Sequence, residues 1–293
     1  MFHDERIPDR KPPWLRRRAI TPEVWQQMKS MLDGLSLATI CEEAHCPNIG
    51  ECFHDRTATF LILGRICTRN CRFCAVQHGY PQPVDDSEPQ HLVEAVQQLN
   101  LRHVVITSVT RDDLADGGAA HFARCIKALH RNTSATVEVL IPDFRGDETA
   151  LRTVVEAHPE VLGHNVEVVP RLYPQIRARA DYQRSLRLLQ RAKEMRPSLY
   201  TKSGLMVGVG EEEQEVIQVM HELRAVGCDF LTIGQYLRPS PQHYPVKEYV
   251  PPEVFARYAQ IGREIGFRGV LSGPFVRSSY CAGALLEGAP RNA

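Results

Sequence analysis

The sequence predicts an α/β protein organised on a parallel sheet, and three observations carry that prediction. Apolar runs of strand length recur about six times between residues 57 and 233, interleaved with segments of helical apolar spacing. Regular alternation of strand and helix implies parallel strands joined by right-handed crossovers. Polar segments also follow several of the predicted strands directly, at the end of the sheet where α/β proteins place their sites. Periodicity alone leaves a doubly wound sheet and a full or partial (β/α) barrel both open. A chain of 293 residues fits one large domain, and no Pro/Gly/Ser-rich linker or internal repeat divides it.

Taken in order, residues 1–20 are polar and interrupted by Pro8, Pro12 and Pro13, which predicts an extended arm with Trp14 and Leu15 as the residues that pin it. Thr21 stands as an N-cap with Pro22 at the first helical position, opening a short helix to about Leu32. A loop containing Pro47-Asn48-Ile49-Gly50 follows. Thr57 to Gly64 is mostly apolar, like a strand buried on both faces. Leu92, Val93, Val96 and Leu99 mark a helix, His103–Thr107 a strand, and Phe122, Ile126 and Leu129 the next helix. Strands at Thr136–Ile141 and Val161–His164 flank a helix over 147–157. Helix 181–195 carries Leu186, Leu189 and Met195 and leads to strand Tyr200–Val207. A helix with Val216, Val219, Met220 and Leu223 precedes the sixth strand, Phe230–Ile233. A last helix after Pro251-Pro252 sets Val254, Tyr258, Ile261 and Ile265 on one face.

Composition narrows the function. Lys+Arg and Asp+Glu balance at 35 each, so no global field for nucleic acid or a membrane surface is indicated. No apolar run has membrane length. Arg16-Arg17-Arg18 is followed by Ala19-Ile20-Thr21-Pro22-Glu23 where an export signal would place its apolar core, and it reads as a solvated face. Six of nine cysteines fall in two short stretches, which in a chain without an export signal indicates metal thiolates rather than disulfides and a reducing, cytoplasmic setting.

Those stretches are Cys41, Cys46 and Cys52, spaced C-x4-C-x5-C, and Cys67, Cys71 and Cys74, spaced C-x3-C-x2-C with Phe73 before the last. Three thiolates on one loop suit three irons of a cubane [4Fe-4S] cluster and leave the fourth iron open to a small molecule, whereas electron-transfer runs supply a fourth cysteine. A structural zinc site wants four ligands, which neither spacing provides. Six thiolates exceed the need of one cubane, so two [4Fe-4S] clusters is the economical count. The second loop resembles the signature of the radical S-adenosylmethionine (SAM) superfamily, in which SAM chelates the open iron. That resemblance, with the partial (β/α)6 TIM-type barrel common in the superfamily, selects among the fold options. The expected layout is an N-terminal arm, helix and cysteine loop over 1–56, a barrel core over 57–272, and a C-terminal tail over 273–293.

SAM needs acceptors for its ribose hydroxyls and donors for its carboxylate. Glu138 and Asn165 suit the ribose, and Thr107 and Ser108 the methionine part; Gln235 and Leu237 complete the ring of strand ends. Lys202 and Arg177 suit an anionic group or a paired carboxylate. A satisfied hydrogen bond or ion pair is the plain alternative for each. Gly117-Gly118 suits either a close backbone approach to the methionine amine or a turn. Val207-Gly208-Val209-Gly210-Glu211 lacks the third glycine of a dinucleotide loop and is set aside. In the tail Gly273-Pro274-Phe275-Val276-Arg277-Ser278-Ser279-Tyr280, a serine oxygen would be a hard, labile ligand for a soft iron–sulfur site.

The two cysteine spacings, the late Arg277-Ser278-Ser279-Tyr280, and the segments Ser108–Leu114, Asn165-Val166-Glu167 and Pro170-Arg171-Leu172-Tyr173 together resemble the lipoyl synthase family, from about residue 20 to the end. Val209 and Arg179-Ala180 depart from its pattern without touching a ligand. The resemblance implies insertion of sulfur at C6 and C8 of an octanoyl chain held on a lysine of a lipoyl carrier protein. The carriers would be lipoyl domains of 2-oxoacid dehydrogenases or the glycine cleavage H protein. Cys67, Cys71 and Cys74 would hold the cluster that cleaves SAM. Cys41, Cys46 and Cys52, with Ser279 as fourth ligand, would hold the cluster consumed as sulfur donor. It also implies an electron donor such as ferredoxin or flavodoxin, and an iron–sulfur carrier for repair. Methylthiotransferases carry longer N-terminal and RNA-binding domains, biotin synthase lacks the leading triplet, and an electron carrier needs no polar strand-end ring. Arg65, Arg69, Arg72 and the Arg16–Arg18 run are candidates to steer an acidic carrier domain. For Cys125, Cys228 and Cys281 packing is the expectation.

Overall fold

The computed structural model describes residues 11–16 and 20–288; Pro8, Arg17 and Arg18 lie outside the described residues. The chain runs α1 (Pro22–Gly34), β1 (Ala38–Thr39), α2 (Ile40–Glu43), α3 (Ile49–His54), β2 (Thr59–Ile62), α4 (Glu88–Leu99), β3 (His103–Ser108), α5 (Ala119–Asn132) and β4 (Thr136–Leu140). It continues with α6 (Glu148–Val155), β5 (Val161–Gly163), α7 (Tyr173–Ile176), α8 (Tyr182–Met195), β6 (Tyr200–Val207), α9 (Glu213–Ala225), β7 (Phe230–Gln235), α10 (Pro252–Ile265), β8 (Gly269–Gly273) and α11 (Ala282–Leu286). Eight strands form one sheet in the order β1 to β8, with β1 antiparallel to β2 and every later pair parallel. The order is linear, so the sheet is open, as a partial barrel requires.

The sheet is nevertheless wrapped. Leu61 of β2 and Gly234 of β7 line one cavity, yet five strand spacings in a flat sheet would part them by roughly 24 Å. Alternation along the strands explains what faces where. On β4, Val137 and Val139 pack into the core that includes Phe122 and Ile126 of α5, while Glu138 points to the opposite face. Local chemistry sets the helix ends. Asp147 accepts from the Thr149 and Ala150 amides at the start of α6, Asp181 does the same for Arg184 at the start of α8, and α10 stops at Gly266 in the left-handed region.

The sequence expectation differs at four places. Two strands add to the predicted six: β1 is too short to show a period, and β8 is bounded by glycines and carries Ser272. The first cysteine loop contains two short helices, because Thr39 accepts from the Glu42 amide and starts α2. Thr21 occupies the N-cap of α1 without a capping bond from its hydroxyl. The arm is pinned by buried Leu15, whereas Trp14 is 39% exposed.

Residues 48–51 of the N-terminal segment and residues 275–280 of the tail are tied to each other. Asn48 Nδ2 donates to Phe275 O at 2.7 Å, and Tyr280 Oη donates to Glu51 Oε1 at 2.8 Å. The tail crosses β7 so closely that a Cβ at Gly234 would lie 2.1 Å from Val276 O.

Candidate active site

The Cys67 loop leaves the C-terminal end of β2 through a constrained residue. Leu63 has φ +67°, unusual for a bulky side chain. Its amide donates to Glu88 Oε2 at 3.0 Å, its carbonyl accepts from Arg111 Nη1 at 3.0 Å, and His121 Nε2 lies 2.7 Å from the same Glu88 oxygen. Gly118 packs on Leu63, where a Cβ would come within 2.3 Å of Cδ1, and Gly117 packs on Phe144. Neither glycine lines the cavity described next, so their close approach serves packing.

Beyond Leu63 the loop is tied down from three sides. The Cys67 amide donates to Gln77 O, and the Thr68 amide to Thr110 O. Arg69 forms a fork on Asp112 at 2.7 and 2.9 Å and reaches Asp143 Oδ1 at 2.7 Å, while Arg184 holds the other Asp143 oxygen at 3.1 Å. The Arg69 guanidinium, against the cost of burial, holds the Asp143 carboxyl well below the usual range. His243 Nε2 lies 3.0 Å from Cys74 O. Arg69 is therefore buried and committed to two carboxylates, which removes it from the expected steering set; Arg65 pairs with Glu43, and Arg72 is exposed over Tyr244.

A cavity of about 600 Å³ opens over this loop. Cys67, Cys71 and Cys74 line it, and so do Cys41 and Cys46 from the other triplet, together with Thr107, Ser108, Asn165, Gln235, Leu237 and Ser279. Cys52 faces a second cavity of about 830 Å³, which also reaches Cys41, Cys46 and Ser279. The second triplet thus stands between two cavities, one shared with the first triplet. Burial foremost pushes the thiols of Cys41, Cys52 and Cys74 up to about 12, and neighbouring thiols add to it. Burial raises Cys71 as well, against the pull of Arg177. Such thiols stay protonated at neutral pH until a metal displaces the proton. Two amides already point at Cys67 Sγ, from Arg69 at 3.4 Å and Thr110 at 3.3 Å, as a coordinated thiolate would use.

The polar residues divide. Ser108 Oγ and Asn165 Oδ1 are buried without a hydrogen-bond partner among the described residues, and both line the first cavity. Gly204 leaves the space beside Asn165; a Cβ there would sit 2.8 Å from Asn165 Oδ1 and 2.9 Å from Thr232 Oγ1. An orphaned hydroxyl and an orphaned amide oxygen, the latter beside a glycine cradle, fit a polar ligand such as SAM. Thr107 Oγ1 is bonded to Leu140 O.

Glu138 and Lys202 do not line the cavity. They form a buried ion pair of 2.7 Å across β5, with His103 at 3.5 Å from the other Glu138 oxygen. Burial would raise the Glu138 carboxyl, but Lys202 and His103 more than offset it and hold it low. This takes Glu138 out of the ribose role and Lys202 out of the anion role, leaving the carboxylate pairing also considered for Lys202. Arg177 sits behind the cavity and donates to Asn165 O, Val166 O and Tyr173 Oη. The Gln235 side-chain amide donates to backbone carbonyls of Val207 and Glu248 and accepts from Val250 N, so only its position on the wall serves the site.

Glu167 and Arg277, which stand within the sequence motifs quoted above without a role given to either, both line the first cavity. Glu167 has φ +66° and joins β6 by backbone bonds to Gly204 and Met206. Burial pushes its carboxyl up, against Arg177. A carboxylate two residues after Asn165, just past a strand, was the available signal. Cys125 and Cys228 are buried in the core as expected, and Cys281 packs as expected against the small apolar cluster of Val161, Phe230, Leu271, Val276 and Leu285 while also lining the second cavity.

An open parallel barrel with three thiols on the loop after its first parallel strand defines a radical SAM enzyme, and the model described as "Radical SAM superfamily" matches residues 61–223. The fold is similar to Streptococcus suis SuiB bound to precursor peptide SuiA, with a TM-score of 0.56 at 8% identity over 91% of this chain and 58% of that one. Among curated relatives, a lipoyl synthase of Caldanaerobacter subterraneus subsp. tengcongensis is 59% identical over 93% of this chain and 96% of its own length. One of Caldicellulosiruptor saccharolyticus is 58% identical, also over 93% of this chain and 96% of its own length. The chain belongs to the lipoyl synthase family, sulfurtransferases that work with SAM and iron–sulfur clusters on an octanoylated carrier protein. Among the described residues no helix is long and apolar enough to cross a membrane.

Proposed function

We propose that this chain inserts two sulfur atoms, at C6 and C8, into an octanoyl-lysine of a lipoyl carrier protein, using two [4Fe-4S] clusters. The observation that carries the reading is that Cys41 and Cys46 face the same cavity as Cys67, Cys71 and Cys74, so hydrogen removal and sulfur transfer share one space. When bound, the clusters and SAM supply a deoxyadenosyl radical and the sulfur; the protein supplies geometry and exclusion of water. Cys67, Cys71 and Cys74 hold the first cluster, and the Arg69 and Thr110 amides stabilise the Cys67 thiolate. Ser108 and Asn165 orient SAM, and Glu167 lies beside them. Thr107, Gln235 and Leu237 shape the wall, and Arg177 fixes the Asn165 backbone. Cys41, Cys46 and Cys52 hold the second cluster, with Ser279 as fourth ligand, so that residues 1–56 and 273–293 complete a site on the 57–272 barrel.

In this reading the carriers are lipoyl domains of 2-oxoacid dehydrogenases or the glycine cleavage H protein. A ferredoxin or flavodoxin delivers the electron, an iron–sulfur carrier renews the second cluster, and the reducing cytoplasm is the setting. The test is anaerobic reconstitution with iron and sulfide, then SAM, a strong reductant and an octanoyl-lysine peptide, followed by mass spectrometry. Deoxyadenosine together with a two-sulfur peptide is expected. Deoxyadenosine without sulfur transfer would refute the substrate, and neither product with both clusters loaded would refute the activity.

A further inference from the structure

We infer that Cys281 is a reserve thiolate for the second cluster site, positioned to take the iron that Ser279 holds. The inference rests on the reading that Cys41, Cys46 and Cys52 carry a cluster there. Four cysteines line the second cavity, the three of the triplet and Cys281. The tail reaches them under two restraints. Asn48 Nδ2 holds Phe275 O at 2.7 Å, and Tyr280 Oη holds Glu51 Oε1 at 2.8 Å; each anchor residue neighbours a triplet cysteine within two positions. Ser279 lies between these restraints and Cys281 immediately after them, so both side chains are carried to the triplet by one stretch of backbone.

The backbone has little freedom to withdraw. Val276 O is pressed on Gly234, and Gly283 sits against His103, where a Cβ would meet His103 Cβ at 3.2 Å. Between these contacts Cys281 is held at φ +51°. The Asn48 side chain, buried on the same wall, keeps Oδ1 without a partner among the described residues.

Chemistry sets the order of the two ligands. A serine oxygen is a hard donor and gives up a soft iron–sulfur site readily, while a thiolate is the matched ligand. Exchange of Ser279 for Cys281 moves a proton from thiol to alkoxide, breaks one Fe–O bond and forms one Fe–S bond, with no change in electron count. An iron released by Ser279 is thereby retained on the protein.

The test uses the full chain with Cys67, Cys71 and Cys74 replaced by Ala, so that only the second site loads. Four forms are reconstituted anaerobically with iron and sulfide: this parent, and the parent with Ser279→Ala, Cys281→Ala or both. Iron is counted, and EPR is recorded after mild oxidation. The parent and each single variant should keep a four-iron cluster. The double variant should lose about one iron in four and show a three-iron EPR signal. Loss of that iron in Ser279→Ala alone, or its retention in the double variant, would overturn the inference and leave the two-cluster reading standing. Loss in Cys281→Ala alone would overturn it by making Cys281 the resident ligand. A parent that binds no cluster would overturn the two-cluster reading itself.

Discussion

Replacing Arg69 by Met is expected to cost about 3 kcal/mol of folding stability, at the low end of the range for breaking a buried ion pair. The Arg69 side chain is 6% exposed and that of Asp143 1%, at 2.7 Å. The substitution leaves the Asp143 carboxylate buried. Arg184 at 3.1 Å and the Arg145 amide at 3.1 Å remain on it, and Asp112, with its side chain 26% exposed, regains water, which is why the loss should not reach the top of the range. Because Arg69 lies between Cys67 and Cys71, iron loading of the first triplet should fall with stability. The assay is urea unfolding of the metal-free chain under reducing conditions for wild type, Arg69→Met, Asp143→Asn and the double variant. A coupling of about 2 kcal/mol is expected, since each single change already breaks the shared contact. Additive effects, or a loss in Arg69→Met below about 1 kcal/mol, would refute the anchoring role.

Other expectations follow from the same geometry. Lys202→Met should destabilise by about 3–5 kcal/mol by stranding Glu138, and adding Glu138→Leu should recover much of that, read from urea midpoints. His164, buried with its nitrogens near Ile141 O and Ser185 Oγ, is lowered by burial to about 4. The unfolded chain takes up this proton below about 6.5 and the folded chain resists it, so stability is full above that pH. It should decline by about 3 kcal/mol as pH falls to about 4. His164→Gln should flatten that limb, whereas the Asp143 contribution is lost only at lower pH. Gly204→Ala, whose Cβ would crowd Asn165 Oδ1, should abolish SAM binding in equilibrium dialysis while both sites load iron. Gly234→Ala should push the tail off β7 and cut iron in the second site alone, counted against the Cys67 triplet.

Much of the fold is legible in the sequence. The central strands and their helices follow from apolar period, because burial on a sheet and on a helix imposes different spacings within a dozen residues. Each cysteine triplet is likewise a local pattern, so its chemistry is readable from neighbours in the chain. Strands β1 and β8 escaped that reading, one for its length and the other for its glycines.

The remainder belongs to tertiary structure because it depends on groups far apart in sequence. Glu138 and Lys202 stand 64 residues apart, and only the curl of the sheet across β5 makes them an ion pair instead of two separate ligands. Glu167 joins the cavity because the chain turns through a left-handed residue onto β6. Asn48 and Phe275 are 227 positions apart, and their hydrogen bond helps bring Ser279 and Cys281 to the second triplet, Cys41, Cys46 and Cys52. Residue type and local spacing therefore determined the chemistry this chain commands, while the wrapping of the sheet and the contact of residues 48–51 with residues 275–280 decided which donors meet.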